Sequence, residues 1–385
     1  MAPQMKRIFK IIVPGILLFS LFQGYCLGAT GSPEPVVRVA ILQGARSFRL
    51  KIPGFFEIID LNKKKVIHRG KNLNTTVTAY RSGILLGGIR CRSFKILVKI
   101  EDTEGLSVDN RNFKGDIRLI AKDSRITAVN DIGLEDYVKG ILYHEVSHYW
   151  PMDALKAQAV VSRSYALYQR RENASQPFDL TNDTYSQVYG GATSERYRTN
   201  KAVEDTRGEV LLYQRQVVPA FFHATCGGHT EDVSLLWNLK MPPLKGVACD
   251  FCKESPHYQW HLVMTLEELQ EKLSAAGKKF KGLENISVAG RDPSGRIIDL
   301  SFGTGGLAQK IPAKDFRNLI GPKLLRSTNF EVTVVNHDVV FEGKGWGHGV
   351  GLCQWGAYFM AKQGYTYSQI LHYYYPQTDV KTYRF

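Results

Sequence analysis

The chain has 385 residues, of which 44% are hydrophobic, 22% are charged and 11% are aromatic. This composition is typical of a folded protein with a substantial core, and it excludes a disordered chain, a collagen-like chain, a disulfide-rich miniprotein and a multi-span membrane protein. Lysine and arginine exceed the acidic residues by fourteen. A basic protein of this kind favours anionic partners such as nucleic acid, a membrane surface or an acidic polymer.

The first residues predict an export signal. Three basic side chains lie within the first ten residues, an apolar run follows at 11–22, and small residues lead to Ala29. We therefore predict a signal peptide over residues 1–29 and a protein exported to the periplasm or the cell envelope. An uncleaved segment would instead anchor the chain in the membrane, although Pro14 and the short apolar run favour a removable signal. Cleavage removes three of the fourteen net positive charges and leaves the mature chain basic.

The remaining sequence predicts an α+β protein. Residues from Val36 to about Val129 contain β-branched or alternating segments separated by turn residues, which is the pattern of strands. Near Leu134 the apolar period becomes helical, and it stays helical to about Arg171. We expect a β-rich N-terminal lobe at 30–129 and a mixed region at 130–385, together forming one elaborate domain.

Two local signals in the second half predict individual elements. Thr265 and Glu268 form a capping box ahead of an amphipathic helix. The segments on either side of Asp292–Gly295 are typical of a hairpin about that turn. A glycine-rich segment at 345–356, a helix and an aromatic stretch close the chain.

The segment around residue 145 fits two chemistries, of which the first is a metalloprotease. His144, Glu145 and His148 match the H-E-x-x-H pattern, in which two histidines on one helix bind zinc and the glutamate activates water. The pattern is short, and it needs a third ligand, for which Glu172 or Glu195 would have to serve.

The second chemistry needs Glu145 alone. Pro151 requires the preceding helix to end by about Trp150, so Glu145 lies near the negative end of the helix dipole. Apolar cover from Tyr149 and Trp150 would raise the carboxyl pKa further. A carboxyl that stays protonated near neutral pH can protonate a glycosidic oxygen. The alternative is an ordinary solvated glutamate.

The next predicted helix carries two cations. Lys156 and Arg163 are seven residues apart, so they share a helical face and could clamp an anionic saccharide beside Glu145. A solvated basic stripe would show the same spacing.

Cysteine and histidine spacing predicts a metal site. Cys226 and His229 form one x2-spaced pair, and Cys249 and Cys252 form a second pair, with nineteen residues between the two pairs. Four such ligands fit a closed, tetrahedral structural zinc site, with His223 as an alternative fourth ligand. In an exported protein, one or two disulfides are the competing interpretation. Cys91 and Cys353 are interpreted as small buried apolar side chains.

Beyond these patterns, the chain resembles the SpoIID/LytB family of sporulation stage II protein D lytic transglycosylases and amidase enhancers. The segment LEDYVKGILYHEV, with the helix after it, carries the likeness first. The likeness continues in order through most of residues 35–385, in the segments Ser186–Gly191, Ala202–Tyr213, Ala220–Trp237, Gly345–Ala357 and Gly364–Thr378.

The resemblance implies roles for several residues. Glu145 matches the catalytic acid/base, Lys156 and Arg163 match basic positions, and Tyr258 matches a further active-site position. His348, in the glycine-rich segment, is expected to line the glycan groove or to pack between neighbouring tryptophans. The family also supports a metal near the cysteines in some members. The chain departs from the common pattern where Ser164 follows Arg163 in place of threonine, and where Cys353 replaces a common serine.

The resemblance implies a peptidoglycan lytic transglycosylase that cleaves glycan strands lacking stem peptides and leaves 1,6-anhydro-muramyl ends. It would act with an N-acetylmuramoyl-L-alanine amidase, in cell division, sporulation or wall remodelling, and its chemistry would need no cofactor. A non-catalytic amidase enhancer and the zinc metalloprotease are the alternatives. We do not expect nucleic-acid binding, because the basic residues are scattered rather than concentrated in a stripe.

Overall fold

The computed structural model of the protein describes residues 34–101, 105–183, 186–278, 280, 282–304 and 307–383. The predicted signal peptide lies outside these residues. The strands in the first half are β1 Val36–Ala45, β2 Ser47–Asp60, β3 Lys65–Tyr80, β4 Gly83–Leu86, β5 Ile89–Cys91, β6 Lys95–Ile100, β7 Leu106–Val108, β8 Arg111–Phe113, β9 Asp116–Lys122, β10 Arg125–Gly133 and β11 Leu180–Thr181.

The later strands are short or lie in small sheets. They are β12 Glu209–Tyr213, β13 Gln216–Val217, β14 Phe222–His223, β15 Gln259–Thr265, β16 Asn285–Arg291, β17 Ile297–Thr304, β18 Leu307–Pro312, β19 Phe330–Val335, β20 Asp338–Lys344, β21 Leu352–Cys353 and β22 Asp379–Thr382. The helices are α1 Leu134–Glu145, α2 Met152–Glu172, α3 Tyr197–Asp205, α4 Val233–Leu236, α5 Leu266–Ala275, α6 Ala313–Ile320, α7 Gln354–Lys362 and α8 Tyr367–Tyr374. This mixture confirms the predicted α+β class.

The N-terminal part forms one eleven-stranded sheet. Its main path runs β11-β1-β10-β9-β6-β2-β3-β4-β5, and β7 and β8 extend it beside β2. Burial alternates along β2, as expected for a strand with one face on a core and the other toward solvent. The last long strand, β10, ends at Gly133, so the expected lobe boundary at 129 falls within that strand.

Helices α1 and α2 pack on this sheet and position the candidate site. The buried residues of α1 include Leu134, Tyr137, Val138 and Ile141, whose spacing of three to four residues defines one helical face. Pro151 lies between the two helices and caps α2. The predicted helical stretch is therefore interrupted where proline disfavours helical backbone for the residue before it.

A second core lies on the other side of α2. Val160 and Val161 of α2 pack there with residues of α7 and α8, including Met360 and Leu371. The short parallel pair of β14 and β21 brings His223 opposite Cys353. Helix α2 is thus shared by two cores, which explains why thirteen of its residues are buried.

A third core belongs to the segment at 259–344. The three-stranded sheets β15-β20-β19 and β16-β17-β18 enclose it with α5 and α6. The capping box of Thr265 and Glu268 is present at the start of α5, and β16 and β17 form the predicted hairpin. This unit is inserted between the cysteine-bearing loop and the glycine-rich segment. In the part of the chain that the structure describes, no helix is both long and apolar enough to cross a membrane.

Candidate active site and cysteine cluster

Glu145 is the last residue of α1. The next residue, Val146, has extended backbone angles, so the helix stops there, and Pro151 then starts α2. The helix end predicted from Pro151 is therefore present, and the Glu145 carboxyl lies at the negative end of the α1 dipole.

The surroundings of Glu145 suit a carboxyl that exchanges protons near neutral pH. Burial raises the pKa of Glu145 to about 7, opposed in part by the Val188 amide, which donates to Oε1 at 3.1 Å. Residue 145 nevertheless keeps part of its surface exposed, so protein atoms crowd the carboxyl without closing it off from solvent. At neutral pH both protonation states are populated, which general acid and base catalysis requires.

One of the two residues expected to cover Glu145 points to solvent. Tyr149 is 80% exposed, so its predicted contribution to the cover is wrong. The Tyr137 and Tyr165 phenols are buried and interact with the Glu145 charge: burial, with a smaller effect of that charge, raises the pKa of Tyr165 to about 12. Trp150 turns toward Trp355, with the two ring centres 5.1 Å apart. Because α1 ends at Glu145, Tyr149 does not take the i+4 position that a continuous helix would give it.

The metalloprotease interpretation does not fit this geometry. Its two histidines must share one helix face, but α1 ends at Glu145 and leaves His148 beyond it. The His148 ring packs on Tyr149, and His144 Nε2 lies 2.6 Å from the Ser194 hydroxyl. Glu195, one of the two possible third ligands, pairs with Lys114 at 2.7 Å. Glu172, the other, pairs with Arg171 at the end of α2.

Arg163 is a buried structural residue. Its side chain has no exposed surface, and its guanidinium makes a two-point contact with the Glu135 carboxylate, at 2.9 and 2.7 Å. It also donates to the main-chain carbonyls of Val203 and Glu209. The predicted contact between Arg163 and an anionic saccharide is therefore wrong, since every side of the group is occupied by protein. Because Glu135 lies in the first turn of α1, Arg163 instead fixes α1 against α2.

Lys156 lies on the same helix in a different environment. Its ammonium group is 3.1 Å from Asp205 of α3 and 5.9 Å from the centre of the Tyr367 ring, and its side chain is 23% exposed. The structure thus gives Lys156 and Arg163 separate acidic partners. The two cations therefore do not form the expected clamp. The alternative, a solvated basic stripe, is also absent from α2, because this helix is buried against two cores.

Two residues near Glu145 did not follow from side-chain chemistry alone. Val188 supplies a main-chain amide, and only the family likeness points to its segment. Gln354 donates from Nε2 to the main-chain carbonyl of Glu145 at 3.1 Å. Both residues lie in segments that resemble the family, and this resemblance was the signal that could have found them. Neither a valine amide nor a glutamine predicts a role by itself.

Tyr258 and His348 lie at the edges of the second core. The Tyr258 carbonyl accepts a hydrogen bond from the Gly345 amide, and burial raises the pKa of its partly exposed phenol. Burial, followed by the charges of Arg317 and Arg296, lowers the pKa of His348 to about 3. His348 packs near Trp237 rather than between the two tryptophans of its own motif. It is therefore a neutral imidazole at neutral pH.

Four buried cysteines converge on one point. Cys226, Cys249, Cys252 and Cys353 place their sulfur atoms within 4.8 Å of one another. The Cys226 and Cys252 sulfurs are 3.4 Å apart, far beyond the roughly 2.05 Å of a disulfide bond. All four are free thiols in the structure, so the disulfide interpretation is not supported by this geometry.

The cluster corrects the expected ligand set. His229 is not part of it: its ring nitrogens do not belong to the group of ligand atoms that lie within 4.8 Å of one another, and its Nδ1 lies 2.6 Å from the Thr230 carbonyl. His223 is also outside this group, and its Nδ1 lies 3.1 Å from the Val350 carbonyl. Cys353, which was interpreted as an isolated apolar side chain, takes the fourth place, whereas Cys91 is buried separately in the first core. Sequence spacing missed Cys353 because about a hundred residues separate it from Cys252.

Four thiolates at these separations fit a structural metal. Zinc binds thiolate at about 2.3 Å, and a tetrahedron of that size separates its sulfurs by roughly 3.8 Å. The sulfur–sulfur distances in the cluster, from 3.4 Å between Cys226 and Cys252 up to a limit of 4.8 Å, include that value. The donor set is compatible with a closed four-cysteine zinc site, which has no open position for substrate.

Two protein families match the chain. Residues 122–213 match the family described as stage II sporulation protein, and this region contains both helices around Glu145. Residues 246–351 match a domain of unknown function, DUF8618, which corresponds to the inserted unit with the loop before it.

Relatives extend the likeness over most of the chain. An uncharacterized protein of Brachyspira hyodysenteriae is 32% identical over 91% of this chain and 94% of its own length. Stage II sporulation protein D of Bacillus subtilis is 31% identical over 66% of this chain and 76% of its own length. The amidase enhancer of the same organism is 28% identical over 64% of this chain and 40% of its own length. The chain therefore belongs to the stage II sporulation protein D family.

Proposed function

We propose that the chain is an exported lytic transglycosylase that cleaves peptidoglycan strands lacking stem peptides. The observation that carries the proposal is Glu145, a reachable carboxyl at a helix end whose burial raises its pKa to about 7. Membership in a family whose relatives include stage II sporulation protein D and an amidase enhancer supports action on the cell wall.

The reaction needs one proton donor that later accepts a proton. Protonated Glu145 donates to the bridging glycosidic oxygen, and the bond between that oxygen and the anomeric carbon breaks. The 6-hydroxyl of the same muramyl sugar then bonds to the anomeric carbon and closes the 1,6-anhydro ring. The carboxylate of Glu145 accepts the hydroxyl proton, so no water is consumed and the acid is regenerated. A hydrolase of the usual kind would need a second carboxylate, whereas here the sugar supplies the nucleophile.

Neighbouring surfaces suit a sugar polymer. Trp150, Trp355 and Tyr358 pack against one another with ring centres 5.1–5.2 Å apart, and all three stay partly exposed. Aromatic faces of this kind can cover the apolar face of a sugar ring. Lys156 and Tyr258 also keep exposed surface, and we propose both as substrate contacts, with His348 as a neutral group at the edge of the groove.

The other parts of the proposal concern stability and partners. Cys226, Cys249, Cys252 and Cys353 would hold a zinc ion that stabilises the fold and supplies no reactive group. The chain would act outside the cytoplasmic membrane, after an amidase has removed the stem peptides. Its positive charge suits a denuded glycan, which keeps its lactyl carboxylates.

The test is product analysis with purified protein and amidase-treated peptidoglycan. We expect anhydro-muramyl products by mass spectrometry, and we expect Glu145→Gln to lower their rate of formation by at least about 100-fold. Glu172→Gln, which removes an exposed carboxyl at the end of α2, is the matched control and should retain activity.

Equal product from wild type and Glu145→Gln would overturn the proposed mechanism. Glycan binding without product, together with amidase stimulation that survives Glu145→Gln, would instead establish the enhancer role.

A further inference from the structure

The cysteine cluster and the candidate active site meet at two consecutive residues. Cys353 contributes its sulfur to the cluster and also accepts a hydrogen bond from the Gly356 amide at 3.3 Å, which caps the start of α7. Gln354, the first residue of α7, points its amide group to the end of α1. A movement of Cys353 must therefore move Gln354.

Gln354 holds the end of α1 through a buried polar network. Its Nε2 lies 3.1 Å from the Glu145 carbonyl and 3.4 Å from Gln158 Oε1, and Gln158 donates to the Ser162 hydroxyl at 3.2 Å. The carbonyl of Glu145 is one of the last four in α1 and has no partner within the helix. Gln354 thus satisfies it from outside, and because it is only 8% exposed, water is a poor substitute.

The cluster also closes the base of the inserted unit. Cys249 and Cys252 precede that unit, Cys353 follows it, and Cys226 comes from the loop after β14. A metal would join these three segments by bonds to sulfur, whereas without it packing and weak sulfur hydrogen bonds, such as that from the Cys226 amide to the Cys353 sulfur at 3.2 Å, hold them together. Because an unfolded chain rarely holds the ligands in place, the free energy of metal binding contributes directly to the stability of the folded structure.

We propose that metal bound by the four cysteines holds Gln354 against the end of α1, so that occupancy of the cluster controls the position of Glu145. Gln354 is then a positioning residue that acts through the Glu145 main chain. The proposal rests on the proposed function for its effect on catalysis, but its structural part does not.

The first experiment follows the metal. Wild-type protein reconstituted with Co²⁺ should show the absorption bands of a tetrahedral four-thiolate site. Cys353→Ser keeps a helix-capping side chain but removes one thiolate, so we expect a changed spectrum and at least a tenfold loss of metal affinity. Cys91→Ala is the matched control and should leave both unchanged. A four-thiolate spectrum in Cys353→Ser would overturn the ligand assignment.

The second experiment measures hydrogen exchange at residues 142–146 and needs no activity. Metal removal should speed exchange there in the wild type. Gln354→Leu should bind metal normally and show faster exchange at residues 142–146 with metal bound than the wild type does. Metal removal should then increase the exchange rate of this variant only slightly. Equal protection with and without metal in the wild type, or the same metal effect in Gln354→Leu as in the wild type, would overturn the coupling.

The third experiment connects the coupling to catalysis. Because a misplacement of about 1 Å can cost about 100-fold, metal removal should lower kcat by about 10- to 100-fold in the wild type and by less than about threefold in Gln354→Leu. KM should change little in either protein. An equal loss of kcat in both would overturn the role of Gln354. If Glu145→Gln is fully active while the exchange results hold, the proposed reaction fails and the structural coupling stands.

Discussion

Two carboxyl groups in this molecule share a pKa near 7 but have different surroundings. Burial is the main cause for both Glu145 and Glu231. Glu145 accepts one hydrogen bond at Oε1 and remains partly exposed. Glu231 is 1% exposed and accepts from the Asp232 amide at one oxygen and from the Ser294 hydroxyl at the other. A raised pKa therefore identifies a candidate acid only when substrate can reach the group.

The two carboxyls also serve different parts of the fold. Glu231 lies in the loop after β14, and Ser294, in the turn of the inserted hairpin, contacts it. The nearby Asp292 raises the pKa of Glu231 further, and Arg296 opposes that effect. We therefore interpret Glu231 as a contact between the inserted unit and the second core, and Glu145 as the reacting group.

The largest expected difference between them is in activity. Glu231→Gln should change kcat by less than about threefold, because the carboxyl is buried from substrate, whereas Glu145→Gln should lower kcat by at least about 100-fold. Initial rates of anhydro-product formation measure both. If Glu231→Gln lost as much activity as Glu145→Gln while its circular dichroism was unchanged, the two carboxyls could not be assigned different roles.

In contrast to activity, the free energy of unfolding should respond to the two carboxyls in the same way. Each group has a folded-state pKa above its unfolded value, so ionisation opposes folding as the pH rises from about 4.5 to about 7. Glu145→Gln should therefore stabilise the protein by about 1–3 kcal/mol at pH 8 and by almost nothing at pH 4.

Urea unfolding at the two pH values measures this difference. Glu231→Gln should show the same sign with a smaller gain, because the amide replaces a group with two accepting oxygens. Glu172→Gln is the exposed control. A stability gain for Glu145→Gln that is equal at pH 4 and pH 8 would contradict the assigned pKa.

The smallest effect tests the single hydrogen bond to Glu145. Val188→Pro removes the amide that stabilises the ionised carboxylate, so the Glu145 pKa should rise. A hydrogen bond of ordinary net strength corresponds to a rise of about half a unit to one unit. The alkaline limb of the rate profile should move to higher pH by that amount. Val188→Ala keeps the amide and should leave the limb in place, and a downward shift in Val188→Pro would contradict the assignment.

The sequence predicted features that depend on neighbouring residues. Pro151 indicated where α1 must end, and the structure ends it at Glu145. Thr265 with Glu268 indicated the start of α5, and the Asp292–Gly295 turn indicated the hairpin. These signals are reliable because caps, turns and the restriction before proline act within a few residues.

Two predictions that depended on residues distant in sequence were wrong. The i+7 spacing of Lys156 and Arg163 gave no sign that Glu135, twenty-eight residues before Arg163, pairs with it in the interior. The spacing of the cysteine pairs suggested His229, because local ligand patterns favour a nearby residue over Cys353. Both errors arose where the order of the chain and the order in space diverge.

The sequence by itself determined that this is an α+β protein with an acidic side chain at a helix end, because backbone geometry near proline and the periodicity of apolar residues are local properties. The tertiary structure decided how that acid behaves. The Val188 amide bonds to Glu145, and the buried Tyr165 phenol interacts with its charge, only because distant parts of the chain fold together. Burial and electrostatic interactions depend on distance in space, and only packing sets that distance for residues far apart in the chain.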